Sequence, residues 1–179
     1  MPMQVDQEYR YLDTEQDRHA LLDEMAQVRQ AVIAIAEMVP EDQHYTPRYH
    51  DWSLAAMMGH LMLMDTLNLW LVQLALMGLH PRVSMDQVDG LNTLMARVFR
   101  QRVVGSSVKG IDRRLRRLED FILTLPLDKF TQQVYYPPKR KYLTVERAVQ
   151  DMFLHHWQEH LETMLSVEGI EDPRNTSAG

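Results

Sequence analysis

Eight histidines and no cysteine stand among 179 residues. Zero cysteine excludes disulfides, thiolate metal sites, thiol nucleophiles and cysteine redox relays together. A transition-metal site in this chain is therefore built from imidazole and oxygen, and imidazole suits zinc, nickel, iron or copper. His156 and His160 are four apart, so on a helix they stack on one face. Val149, Met152, Phe153, Met164 and Val167 share that face, which is the stripe expected to meet the core. His60 falls between Met57 and Met64 on a second apolar line, continued by Leu67, Leu71 and Leu74. Three imidazoles thus point inward from two helices. Unpaired, each would carry a desolvation cost. A divalent metal would remove it, and three protein ligands with an open position is the catalytic arrangement. The ordinary alternative is that a single inward histidine such as His60 is a hydrogen-bonded core residue.

The string His156-Trp157-Gln158-Glu159-His160 also spells the H-x-x-E-H of one metalloprotease class, where the glutamate is a general base. Only nineteen residues follow His160, too few for that class's downstream ligand helix, and Glu159 is turned about 100° from its neighbour. The match is a coincidence of spacing. Asp65, Asp151, Glu159 and His155 are the nearby polar candidates, none with an identifiable catalytic role. A di-iron bundle would need inward E-x-x-H motifs; the one present, Glu41 to His44, falls in a loop.

These residues need helices to carry them. Leu21, Met25, Val28, Val32, Ile35 and Val39 alternate steps of four and three, predicting a helix from about Thr14 until Pro40. A polar loop, Glu41 to Asp51, comes next. Ser53 is a good N-cap for a second helix reaching Gly78, with Trp52 placed to staple onto Met57. Ser84 to Gln87 fits a capping box and opens a shorter helix to about Val104. Gly105, Ser106 and Ser107 then break or kink the chain. Val108, Ile111, Leu115, Leu118, Ile122 and Leu125 mark the next helix, closed by Pro126.

The connection from Leu127 to Leu143 contains Tyr135-Tyr136-Pro137-Pro138-Lys139-Arg140-Lys141. It is either an exposed connector or a cover that offers cations to an anionic substrate. Thr144 caps the last helix, which runs to Gly169, and residues 170–179 form a flexible tail. No strand is expected. The fold class is all-α: an up-down four-helix bundle with one short additional helix, in a single domain over 1–179 with its core at about 12–169.

Nineteen basic against 25 acidic residues leave a net charge of -6, so nucleic acid is not an expected partner. The run Arg113-Arg114-x-Arg116-Arg117 reads as a solvated helix face, or else as a DNA contact of a damage-response protein. Leu54 to Leu79 is apolar enough to suggest a membrane span, but His60, Asp65, Asn68 and Gln73 interrupt it, as befits a central core helix. Met1 to Glu8 lacks a signal peptide's apolar stretch. A soluble cytoplasmic protein without membrane contact is expected. Thirteen methionines serve as adaptable core filler, and Trp70 and Trp157 as core or dimer-interface residues.

Trp52-Ser53-Leu54-x-x-x-x-Gly59-His60-Leu61 opening the second helix, with His156-x-x-x-His160 late in the last, resembles the DinB/YfiT-like superfamily. The likeness spans roughly Leu12 to Gly169 in the order of elements as well as motifs. It implies a four-helix bundle, often dimeric, with a divalent metal on three histidines. Carried over, the ligands are His60, His156 and His160. Nickel or zinc is the implied metal, with iron or manganese as alternatives. Relatives include metal-dependent hydrolases and transferases or isomerases that use a low-molecular-weight thiol. A small-molecule substrate, such a thiol among the candidates, and a homodimer are therefore implied. Lacking cysteine, this chain would have to receive that sulfur from a cosubstrate. Many relatives continue after the last ligand with an Arg-Gly-Gln-like run; here Leu161-Glu162-Thr163 stands instead, which weakens transfer of any particular substrate. His155 is a rival to His156, which is preferred for sharing a face with His160. A non-catalytic bundle that binds a small molecule or protein partner is the alternative from another class.

Overall fold

The computed structural model describes residues 9–176, so the expectation for Met1 to Glu8 lies outside the described residues. Helix α1 (Glu15–Met38) starts where the Asp17 amide donates to Thr14 Oγ1 at 3.1 Å. Leu21, Met25, Val28, Val32 and Ile35 are all buried. Helix α2 (Leu54–Leu76) is capped by Ser53, whose Oγ accepts from the Ala56 amide. By length and composition α2 could cross a membrane, but most of it is packed inside the protein. Gly78, at φ +82°, takes the left-handed conformation just past its end.

The Ser84–Gln87 capping box is present and opens α3 (Met85–Phe99), of which no residue is buried. Helix α4 (Val104–Thr124) begins after residues 100–103. The Gly105–Ser107 segment therefore lies in the first turn of α4 instead of separating two helices. Ser107 is tolerated inside because its Oγ accepts from Arg102 Nε at 3.0 Å.

The expectation of no strand is corrected by two short ribbons. β1 (Pro47–Tyr49) pairs with β2 (Trp52–Ser53), and β3 (Gln133–Tyr136) with β4 (Lys141–Thr144), both antiparallel. The first turns through His50 and Asp51, both at positive φ, as a primed hairpin turn requires. In the second, Val134 and Leu143 pair and are buried, so the long connection is tied down as a hairpin. The last helix comprises α5 (Val145–Gln150), a π-helical turn (Asp151–His155) and α6 (His156–Glu168), ending at Gly169 with φ +65°. Beyond it, where a loose tail was expected, Ile170 packs on the core and α7 (Pro173–Thr176) contacts α1. Residues 177–179 lie outside the described residues.

Side-chain contacts fix the helix directions. Arg18, early in α1, donates to Leu125 O at the end of α4, so those helices are antiparallel. Leu12 and Glu24 bond to Glu146 and Gln158, so α1 and the last helix run parallel. His60 meets His156 while Asn68 meets Met152 O, making α2 antiparallel to it. Arg114 on α4 bonds Thr66, and the earlier Arg102 reaches Met62, so α2 and α4 are parallel. Around the bundle, α1 neighbours α4 and α6, and α2 neighbours α4 and the π turn. All five long helices alternate, but α3 is a return stroke lying outside, against α2. The four bundle helices consequently run up, down, down, up. The up-down alternation along the chain is thus as expected, and the short helix, about 22 Å long, is the crossover that lets two bundle neighbours be parallel.

Candidate metal centre

His60 sits in the second turn of α2, where every residue from Ser53 to Met62 is buried. Gly59 beside it admits α3: a methyl built there would lie 2.5 Å from the Phe99 ring. His156 and His160 come from the first turns of α6, immediately after the π turn. That turn inserts one residue and frees carbonyls from the helical ladder. Arg29 Nη1 donates to Phe153 O at 2.9 Å, and Asn68 Nδ2 to Met152 O at 3.5 Å.

The inserted residue also rotates the downstream helix by about 100°. The apolar stripe expected to run unbroken to Val167 does not: Val167 is exposed, and α6 buries Trp157, Leu161 and Met164. His156 and His160 lie at the edge of this stripe, between core and cavity.

The structure brings the three histidines together. His156 Nε2 is 3.3 Å from His60 Nε2 and 3.1 Å from His160 Nε2. The ring nitrogens of all three lie within 4.8 Å of one another. An imidazole Nε2 has one lone pair or one N–H, so His156 cannot be a full partner to both neighbours. A cation between the three would satisfy all. Bonds of about 2.0–2.1 Å at right to tetrahedral angles set donors roughly 2.8–3.4 Å apart, and the two measured separations fall in that interval. The donor set therefore fits a divalent transition ion.

The electrostatics agree with neutral, lone-pair-bearing rings. Burial, with His160 nearby, lowers His60 to about 3. Burial and His50 lower His160 to about 4. His156 is held well below its ordinary value by burial, the other two histidines and Arg29.

His155 is not in this cluster. Its Nδ1 lies 2.9 Å from Asp151 Oδ1, and the other Asp151 oxygen accepts from Lys139 Nζ at 2.8 Å. Tyr9 also donates to Asp151. Burial raises the Asp151 carboxyl, but those bonds outweigh it and the net shift is downward. This group pins the β3–β4 hairpin to the π turn. Asp65 is likewise committed elsewhere: it is sealed between Arg29 Nη2, at 3.0 and 3.2 Å, and Trp157 Nε1, at 2.9 Å. Of the four polar candidates only Glu159 lines the site, its carboxyl raised by partial burial and then by Glu162 and Asp151.

The histidines form one end of a cavity of about 790 Å³ that runs between α2 and α3. Trp52, expected to staple Met57, lies edge-on to His60 with ring centroids 4.8 Å apart. Tyr136, Pro137 and Pro138 close one side, so the hairpin does cover the site. Its cations do not: Lys139 is bound to Asp151 and Tyr9. Trp70, expected in a core or interface, is 64% exposed at the outer wall. In the arginine run, Arg113, Arg116 and Arg117 are exposed, and Arg114 bonds Thr66.

Sequence reasoning did not find the Arg29–Asp65–Trp157 group. Its signal was a charge at core spacing in each of two apolar helices: Arg29 four residues after Met25, and Asp65 within α2. Two buried charges of opposite sign are expected to pair.

No family model matches the chain, and no curated protein matches it. Among solved structures it is similar to YfiT from Bacillus subtilis, described as a probable metal-dependent hydrolase with an unusual four-helix bundle topology. The TM-score is 0.71 at 14% sequence identity, covering 94% of this chain and 97% of that one. The fold is thus the YfiT-like four-helix bundle.

Proposed function

We propose that this chain is a metal-dependent enzyme of the DinB/YfiT-like kind, hydrolysing a small molecule at a divalent ion, nickel or zinc, held by His60, His156 and His160. The observation that carries this is the spacing of three imidazole Nε2 atoms at the end of a cavity open to small molecules. The opening argues against a sealed scaffold, and the clustering of three neutral imidazoles at its end favours the enzyme over a bundle that only binds a small molecule. When bound, such an ion supplies Lewis acidity, acidifying water or polarising a carbonyl.

The chain's own residues do the rest. Burial keeps the three rings neutral, so they need lose no proton to become ligands. Glu159, on the cavity wall one residue before His160, is the carboxylate placed to hold or pass a proton. Tyr136 keeps its hydroxyl proton, burial and nearby Asp151 raising it above the ordinary range, and can donate it to a substrate oxygen. The Trp52 ring and the two prolines exclude water from one side.

Elemental analysis of wild type beside His60→Ala and His160→Ala tests the site. One divalent ion per wild-type chain, lost from both variants, is expected. Metal-loaded wild type should also cleave members of a 4-nitrophenyl ester panel that the metal-free protein leaves intact. Wild type holding no ion more tightly than the variants would remove the proposal.

A further inference from the structure

Two apolar faces oppose each other in this molecule without closing. On α2, Leu67, Leu71 and Leu74 recur at helical spacing away from the bundle core. On α3, Met85, Val88 and Leu91 face them, yet no α3 residue is buried. A helix face turned to water is ordinarily polar, and protein interiors ordinarily leave no void of this size. The space between is the 790 Å³ cavity, within the usual range for a drug-sized ligand.

Its polarity is segregated. The histidines, Glu159 and Thr163 lie at one end, and the leucines of α2 extend away from them. From His60 to Leu74 is fourteen residues, or about 21 Å along the helix axis. Asn68 and Asn92 are the polar breaks along the walls. Among the described residues no lysine or arginine lines the cavity, while Glu159 does. The basic residue best placed to help from the hairpin, Lys139, is neutralised by Asp151.

We infer that the substrate is an elongated molecule whose neutral, apolar body lies between α2 and α3 and whose scissile polar group meets the histidine end. An anionic body lying between α2 and α3 would find no lysine or arginine to pair with, so any negative charge on a substrate would have to sit at the histidine end. This rests on the proposed metal chemistry for what happens at the polar end, but not for the binding of the body.

The test titrates metal-free and metal-loaded protein with the neutral fluorophore N-phenyl-1-naphthylamine, then displaces it with 1-alkanols and with carboxylates of equal length. Enhanced fluorescence is expected in both forms. Displacement by alkanols should tighten roughly threefold to fourfold per added methylene, and on metal-free protein decanol should outcompete decanoate at least tenfold. Leu71→Arg, and Val88→Arg on the unburied α3, should each weaken the probe at least tenfold with circular dichroism and metal content unchanged. Val167→Arg, on the exposed flank of α6, should not. No probe binding, binding indifferent to Val88→Arg, or decanoate matching decanol on metal-free protein would overturn the inference. If the probe binds and no ion does, the metal reading fails and this one stands. An ion without probe or alkanol binding sinks this inference alone.

Discussion

Replacing Arg29 by methionine isolates the interaction that holds α1, α2 and the π turn together beneath the histidines. Arg29 and Asp65 are each about 1% exposed, and the guanidinium also lies 4.4 Å over the Trp157 ring. The variant keeps the aliphatic stem but strips Asp65 of two hydrogen bonds and Phe153 O of the one from Arg29. Removing one partner of a buried pair costs about 3–5 kcal/mol, because the other charge is left uncompensated. With a urea m-value of about 2 kcal/mol/M for a chain of this size, the midpoint should fall by roughly 2 M. Asp65→Leu added to Arg29→Met should recover at least half of that, since no charge remains buried.

The deficit should also depend on pH. Burial raises the Asp65 carboxyl, with Arg29 and Trp157 opposing; without Arg29 it rises further. As pH falls toward the unfolded value near 3.8, the folded variant takes up a proton before the unfolded chain does. Its stability therefore improves relative to wild type on going from pH 8 to pH 5. The assay is urea unfolding of metal-free protein by circular dichroism at both pH values. A midpoint shift below 0.5 M, a strictly additive double variant, or a deficit that widens in acid would refute the reasoning.

Two further substitutions probe how the site is framed. Gly59→Ala should drive the Phe99 ring off α2, costing about 1–3 kcal/mol. Adding Phe99→Ala should then cost less than it does alone, as a double-mutant cycle would read. Asp151→Asn should lose about 1–3 kcal/mol at neutral pH, because Lys139, His155 and Tyr9 lose a charged acceptor. The Asp151 carboxyl is lowered in the folded state, so its contribution is present above pH 3.8 and disappears as pH falls through the folded value. Thermal unfolding of both proteins should therefore converge as pH falls below 3.8.

The long helices were legible because their signals are local. Thr14, Ser53, Ser84 and Thr144 all cap as their side chains predict. The i, i+4 spacing of His156 and His160 announced a shared face, and His60 joined them once α2 and α6 were neighbours. The ribbons were not legible: β2 is two residues long, and its turn uses His50-Asp51 where a glycine would have been the signal. The π turn was hidden because it depends on donors from elsewhere, Arg29 and Asn68, that occupy the carbonyls it frees. Hence the stripe through Val167 was misjudged while the shared face of His156 and His160 was not, since both histidines lie beyond the inserted residue. Helix directions depend on where α3 goes, and its pattern alone does not distinguish a bundle member from a strut outside it.

That strut has an evolutionary implication. Because α3 contributes one wall of the cavity but no buried residue to the bundle, substitutions along it fall in the class that usually shifts stability by under about 0.5 kcal/mol. The opposite wall and the three histidines belong to helices whose packing tolerates little change. The shape of the cavity can therefore drift on one helix while the scaffold and the histidine cluster stay fixed, so chains of this architecture can change what the cavity admits without first acquiring spare stability.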